Sequence, residues 1–259
     1  MRFKVGSVPY VNAAPLTRWL ESETGARYAE VIYAPPSQLA QMLRAGALDV
    51  ALVSSVEHFH RPETRYVHGL AIASRREVLS VRLFSQVPLA QVRTVALDTS
   101  SLTSAALTRI LLERVYRVCP AYIDAPPDLE AMLQSADAAL LIGDLGMTAH
   151  HPAVREVLDL GVAWHEWTGL PFVWALWLMN ADAPAEAISD LLHTAYEWGE
   201  RNLDAIIAAE AQRTGIPREL CAHYLREVMV YEIDDTFLQG LERFRAEVAQ
   251  LETSSRMRR

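Results

Sequence analysis

Short apolar segments alternate with proline-opened helical segments in this chain, and the alternation starts twice. Phe3–Val8 reads as a strand, Pro15-Leu16 opens a helix, and Tyr28–Ala34 is a second strand. Pro35-Pro36-Ser37 then starts a helix that stops at Gly46, and Leu48–Val53 is a third strand. Val67–Ser74 and Leu79–Ser85 follow as strands, with Gln86–Leu89 as a crossover. The pattern resumes with Thr94–Leu97, a helix from Ala105 to Tyr116, Ala121–Asp124, a helix opened by Pro126-Pro127-Asp128, and Ala138–Ile142. Such an order predicts an α/β fold, a parallel or mixed sheet covered by helices.

A weak internal echo adds to this. Tyr28–Leu43 and Ala121–Leu133 share Ala-Pro-Pro, a Met-Leu ending, a following aspartate (Asp49, Asp137) and an Ala-Leu strand. Two similar β-α-β units predict two similar lobes. Phe172–Met179 reads as a strand returning to the first unit. The helical segments Ala185–Thr214, Pro217–Val230 and Asp234–Leu251 follow it. The expected organisation is a discontinuous first lobe, residues 1–86 with 172–259, and a second lobe, residues 87–171.

Charge and composition narrow the partners. A net charge of −8 over 259 residues disfavours nucleic acid and anionic membrane as main partners, but leaves a small anion bound by local donors open. Pro9 and Asn12 interrupt the apolar run a signal peptide needs after Arg2 and Lys4, so a cytoplasmic location is expected. Cys119 and Cys221 stand in no metal or redox spacing, and neither the His58/His60 pair nor His150-His151 completes a ligand set. No metal is expected.

In α/β lobes ligands meet the carboxyl ends of strands. The strand exits here are Pro9–Asn12, Ser54-Ser55, Asp98–Ser104 and Gly143-Asp144, which carry hydroxyl, amide and carboxyl groups. The densest is Thr94–Ala106 (TVALDTSSLTSAA), where a strand leads through Ser100, Ser101, Thr103 and Ser104 into a helix. Unspent N–H groups at a helix start, with hydroxyls beside them, suit a carboxylate or phosphate. Capping of that helix by Asp98, Thr99 or Ser100 explains the same residues without a ligand.

Several of these stretches together resemble the chorismate dehydratase family of the futalosine route to menaquinone. The matching motifs are Val5-Gly6-Ser7-Val8-Pro9-Tyr10-Val11-Asn12 with Pro15-Leu16, then Asp49–Glu57, Val78-Leu79-Ser80-Val81, and Val95–Asp98 with Ser101–Ser104. Asp137–Asp144 and Trp164–Val173 complete the set. The resemblance implies a two-lobed type II periplasmic-binding-protein-like fold with a central cleft and C-terminal helices. It implies a cofactor-free hydro-lyase that converts chorismate to 3-[(1-carboxyvinyl)oxy]benzoate and water. The family's catalytic asparagine falls on Asn12 and its catalytic serine on Ser80. Arg75-Arg76 departs from the family pattern and receives no role.

The chemistry agrees with an acidic protein. Loss of water makes the chorismate ring aromatic, so the driving force lies in the substrate, and donors at Ser54, Ser55, Ser100, Ser101, Thr103, Ser104, Gly143 and Asp144 would hold its two carboxylates. Asn12 and Ser80 are not basic at neutral pH, so the expected base is the substrate's own enolpyruvyl carboxylate. Two alternatives stand beside this: a small-anion-binding protein without chemistry, and the related 1,4-dihydroxy-6-naphthoate synthase. The oligomeric state is not legible.

Overall fold

Val50–Ser54 (VALVS) is buried at every position, as a strand in the middle of a doubly covered sheet must be. In the computed structural model, which describes residues 2–100 and 102–257 and side chains as far as Thr253, this segment is β3. The chain forms two compact units, Met1–Ala73 with Trp174–Ile233, and Ser74–Val173 with Asp234–Arg259.

The first unit is built on a six-stranded sheet in the order β11-β4-β10-β3-β1-β2. These strands are β1 (Phe3–Ser7), β2 (Ala29–Tyr33), β3, β4 (Arg65–Ser74), β10 (Phe172–Met179) and β11 (Met229–Glu232). β1 runs parallel to β2 and β3, and β10 antiparallel to β3. Helices α1 (Ala14–Thr17), α2 (Pro36–Arg44) and α3 (Val56–His60) follow the first three parallel strands in turn. Leu16, Leu39 and Leu43 from the first two are fully buried. Helices α8 (Ala185–Arg201), α9 (Leu203–Thr214) and α10 (Arg218–His223) come after β10.

The second unit has a five-stranded sheet in the order β7-β6-β8-β5-β9. Its strands are β5 (Arg82–Ser85), β6 (Thr94–Asp98), β7 (Ala121–Ala125), β8 (Ala138–Leu141) and β9 (Glu156–Asp159). β6 runs parallel to β7 and β8, and β5 runs antiparallel to β8 and β9. Its helices are α4 (Thr103–Arg114), α5 (Leu129–Ser135), α6 (Gly143–Thr148), α7 (Leu160–Thr168) and α11 (Asp235–Met257). Leu129, Met132 and Leu133 of α5 pack on Phe84, Ala96, Ala139 and Leu141. Among the described residues, no helix is long and apolar enough to cross a membrane.

The echo in the sequence falls on matching elements, since β2-α2-β3 and β7-α5-β8 occupy the same places in their sheets. Their two aspartates act alike. Asp49 accepts from the Lys4 N–H (2.7 Å), and Asp137 accepts from those of Arg93 (2.8 Å) and Thr94 (3.0 Å). Each ties the start of the third strand to the start of the first.

The structure departs from the expected boundaries in physically plain ways. Residues 74–86 belong with the second unit, because β5 pairs with β8 and β9. The last helix also belongs there, because Phe244 packs edge-on against Trp164 and Phe172 at centroid distances of 6.1 and 4.8 Å. The helix expected over 185–214 divides at Asn202, whose side chain donates to the Trp198 carbonyl (2.7 Å) and closes α8. The helix expected over 217–230 ends in a single π turn, Tyr224–Val228, and gives way to β11. There burial alternates with the period of a strand.

Candidate active site

In the first unit the candidate residues gather at the carboxyl ends of β1 and β3. β1 exits through Val8-Pro9-Tyr10 into a 3-10 turn, Val11–Ala13, that holds Asn12. Two tyrosines from the π turn and β11 hold this residue. The Asn12 amide nitrogen donates to the Tyr224 hydroxyl (3.1 Å), and the Tyr231 hydroxyl donates to the Asn12 backbone carbonyl (2.9 Å). Burial pushes the Tyr231 phenol well above its ordinary value, so it stays a proton donor. The Asn12 Oδ1 is buried and, among the described residues, has no hydrogen-bond partner. An unpaired buried acceptor is costly and calls for an explanation; Arg61 Nη1, His165 Nδ1 and Trp177 Nε1 share this state, and Asn12 is the one of the four at a strand exit singled out as a candidate.

The loop before Asn12 is tied from the other side. Arg213 donates to the Pro9 carbonyl (3.0 Å) and pairs with Glu210, a buried carboxylate that also receives the Arg18 Nε (2.9 Å). Ser54 ends β3 opposite Ala175, and the Ser55 N–H donates to the Trp174 carbonyl (3.1 Å). Both serines are buried.

In the second unit the register aligns the remaining candidates. Leu97 of β6 and Leu83 of β5 both face Leu140 of β8, so Ser100, Gly143 and Ser80, which lie just beyond these strands, flank the same end of the sheet. Asp98 accepts from both the N–H (2.8 Å) and the hydroxyl of Ser100, and so anchors the turn. Helix α4 begins at Thr103, two residues before the expected start, which places Thr103 and Ser104 inside its first turn, both buried. Gly143 opens α6 with φ +62°, a conformation that favours glycine, and Asp144 follows it in the first helical turn. Ser101, expected in the same cluster, lies outside the described residues.

Ser80 itself is presented unusually. The expected strand over 79–85 begins only at Arg82, because Leu79 has φ +58° and the Ser80 N–H turns back to the Val78 carbonyl (2.6 Å). This is a γ-turn of the strained hand, and a leucine there costs about 1–3 kcal/mol. Asp159 sits behind it. One of its carboxylate oxygens caps α7 through the N–H groups of Gly161 (2.9 Å) and Val162 (3.1 Å). The other accepts from those of Val78 (3.1 Å) and Leu79 (2.8 Å), and the Val78 N–H is shared with the first oxygen at 3.2 Å. Burial raises the Asp159 carboxyl above its ordinary value, while the four N–H donors pull it back.

The structure thus brings Asn12, Ser54 and Ser55 to one sheet edge, and Ser80, Ser100, Thr103, Ser104, Gly143 and Asp144 to one edge of the other sheet. Sequence reasoning passed over Tyr224, Tyr231, Glu210 and Asp159. Only Asp159 carried a readable signal, an aspartate at the N-cap position before Leu160-Gly161-Val162.

A sequence profile of the menaquinone biosynthesis family matches residues 3–250. The chain belongs to that family. Its relatives include a chorismate dehydratase of Thermus thermophilus, 32% identical over 260 residues that cover 93% of both chains. Among solved structures, protein AF1704 of Archaeoglobus fulgidus superposes with a TM-score of 0.79 at 17% identity, over 97% of this chain and 98% of that one. The periplasmic aliphatic sulphonate binding protein SsuA of Escherichia coli gives 0.65 at 16% identity, over 99% and 93%. The fold is therefore that of periplasmic binding proteins, here carried by a member of a biosynthetic family.

Proposed function

We propose that this protein is a chorismate dehydratase, a lyase that removes water from chorismate to leave 3-[(1-carboxyvinyl)oxy]benzoate. The observation that carries this reading is the 32% identity with the Thermus thermophilus chorismate dehydratase along 93% of each chain. In the reaction a proton leaves the ring carbon that bears the ether. The C–H electron pair becomes a ring double bond, and hydroxide leaves the neighbouring carbon. No atom is oxidised overall relative to water loss, so the step needs no redox cofactor.

Asn12 and Ser80 are the proposed catalytic residues. The unpartnered Oδ1 of Asn12 supports an acceptor role toward the substrate. Asp98 and Asp159 already accept hydrogen bonds from their own chain, which weakens the case for either as general base. The enolpyruvyl carboxylate of the substrate takes the ring proton instead, and its proximity supplies the rate. Ser54, Ser55, Ser100, Ser101, Thr103, Ser104, Gly143 and Asp144 are the proposed substrate-binding positions.

Purified protein mixed with chorismate and a chelator should consume it and release the benzoate, followed by chromatography and mass. Asn12→Ala and Ser80→Ala should each lower kcat about 100-fold, the scale of removing one preorganised polar group. Thermal stabilisation by chorismate without consumption would identify a binding protein instead.

A further inference from the structure

We propose that Asp159 is a positioning residue for Ser80, its carboxylate holding the Val78-Leu79 turn that places Ser80 at the sheet edge. The inference rests on the reading of Ser80 as catalytic.

Three observations converge. Leu79 occupies a left-handed conformation (φ +58°) that a leucine does not adopt without external support. That support comes from Asp159, whose Oδ2 lies 2.8 Å from the Leu79 nitrogen and 3.1 Å from the Val78 nitrogen. The turn is also packed on both sides by glycines that leave no room for a side chain. A Cβ on Gly161 would meet the Arg76 carbonyl at 2.3 Å, and one on Gly146 would meet the Ser80 carbonyl at 2.2 Å. The backbone on either side of Leu79 is therefore confined by α7 and α6, and Asp159 links it to the start of α7 through the Gly161 and Val162 amides.

A carboxylate suits this task better than a neutral side chain. It has acceptor positions for two pairs of N–H groups and no donor to repel them. An asparagine at 159 keeps one oxygen to cap α7, since asparagine is among the best N-cap residues, but turns an amide NH2 toward the Val78 and Leu79 N–H groups. Asp159→Asn should thus keep the helix cap and the longer Val78 contact (3.2 Å) and lose the grip on Leu79.

The test is steady-state kinetics with chorismate on Asp159→Asn, Leu79→Gly, the double variant and Ser80→Ala, with thermal unfolding recorded for each. Asp159→Asn should lower kcat about 30-fold and change KM less than about threefold, as expected when a group is displaced without loss of binding. Glycine accepts positive φ without support. Leu79→Gly placed in the Asp159→Asn background should therefore recover kcat by at least about fivefold, which loss of general stability would not give. Should Asp159→Asn fail to fold, Asp159→Ser provides the same comparison, as a cap too short to reach the turn. Wild-type kcat in the Asp159 variants, or no recovery in the double variant, overturns the inference. Full activity in Ser80→Ala overturns the Ser80 reading beneath it, and absence of wild-type turnover overturns the proposed function.

Discussion

The two units share a local topology, β2-β1-β3-β10 in one and β7-β6-β8-β5 in the other, yet they hold their candidate catalytic side chains by opposite means. Asn12 lies in a 3-10 turn and is gripped by neutral tyrosine hydroxyls. Ser80 follows a strained turn and is backed by a part-buried carboxylate. The difference bears on the proposed substrate, which is a dianion. A neutral grip on Asn12 leaves its carbonyl oxygen unspent without adding charge. The carboxylate behind Ser80 is directed at four backbone N–H groups, which offset its charge locally.

The comparison is most exposed at Glu210, because the loop before Asn12 also leans on buried charge through Arg213. Glu210→Ala leaves Arg18 and Arg213 without their shared partner and should cost about 3 kcal/mol of stability, read from urea unfolding. The folded fraction should keep kcat within about fivefold of wild type, if charge stabilises the loop while the tyrosines orient the amide. A collapse of kcat in that fraction would mean that both units position by charge.

A smaller effect tests the shared topology. Asp137→Ala removes the acceptor for two N–H groups, and Asp49→Ala the acceptor for one. The losses should be about 2 and about 1 kcal/mol, on the scale of hydrogen bonds to a charged group near the surface. Equal losses would show that the two ties are not equivalent in kind.

Much of the frame was legible because it rests on period and punctuation. The Ala-Pro-Pro pairs and the aspartates that follow them mark equivalent β-α-β units, and the structure seats them in equivalent places. Asn12 and Ser80 are singled out only by family resemblance, since an asparagine after a proline and a serine in a strand carry no chemistry by pattern. The strained turn was hidden for a related reason. A positive φ is usually announced by glycine, and here the position is Leu79, held by a carboxylate 80 residues away in the chain. The C-terminal segments misled differently, because Arg218–Val228 keeps helical periodicity and the switch to β11 is written only in Met229–Glu232. That switch is what delivers Tyr224 and Tyr231 to Asn12.

The smallest effect bears most directly on the neutral grip. Tyr224→Phe removes one hydroxyl from a buried ring and leaves its packing intact, so thermal stability should move little. The Asn12 amide nitrogen loses its 3.1 Å partner, while the Tyr231 hydroxyl still fixes the backbone carbonyl. The side chain is then free to rotate about its terminal torsion, and the fraction with Oδ1 in place falls. A drop in kcat of about fivefold, near 1 kcal/mol, with KM almost constant is the expected result. A loss as large as that of Asn12→Ala would mean that the Tyr224 hydroxyl itself meets the substrate. No change at all would mean that Tyr231 and the 3-10 turn suffice, and the contrast between the units would then rest on the backbone rather than on the side-chain amide.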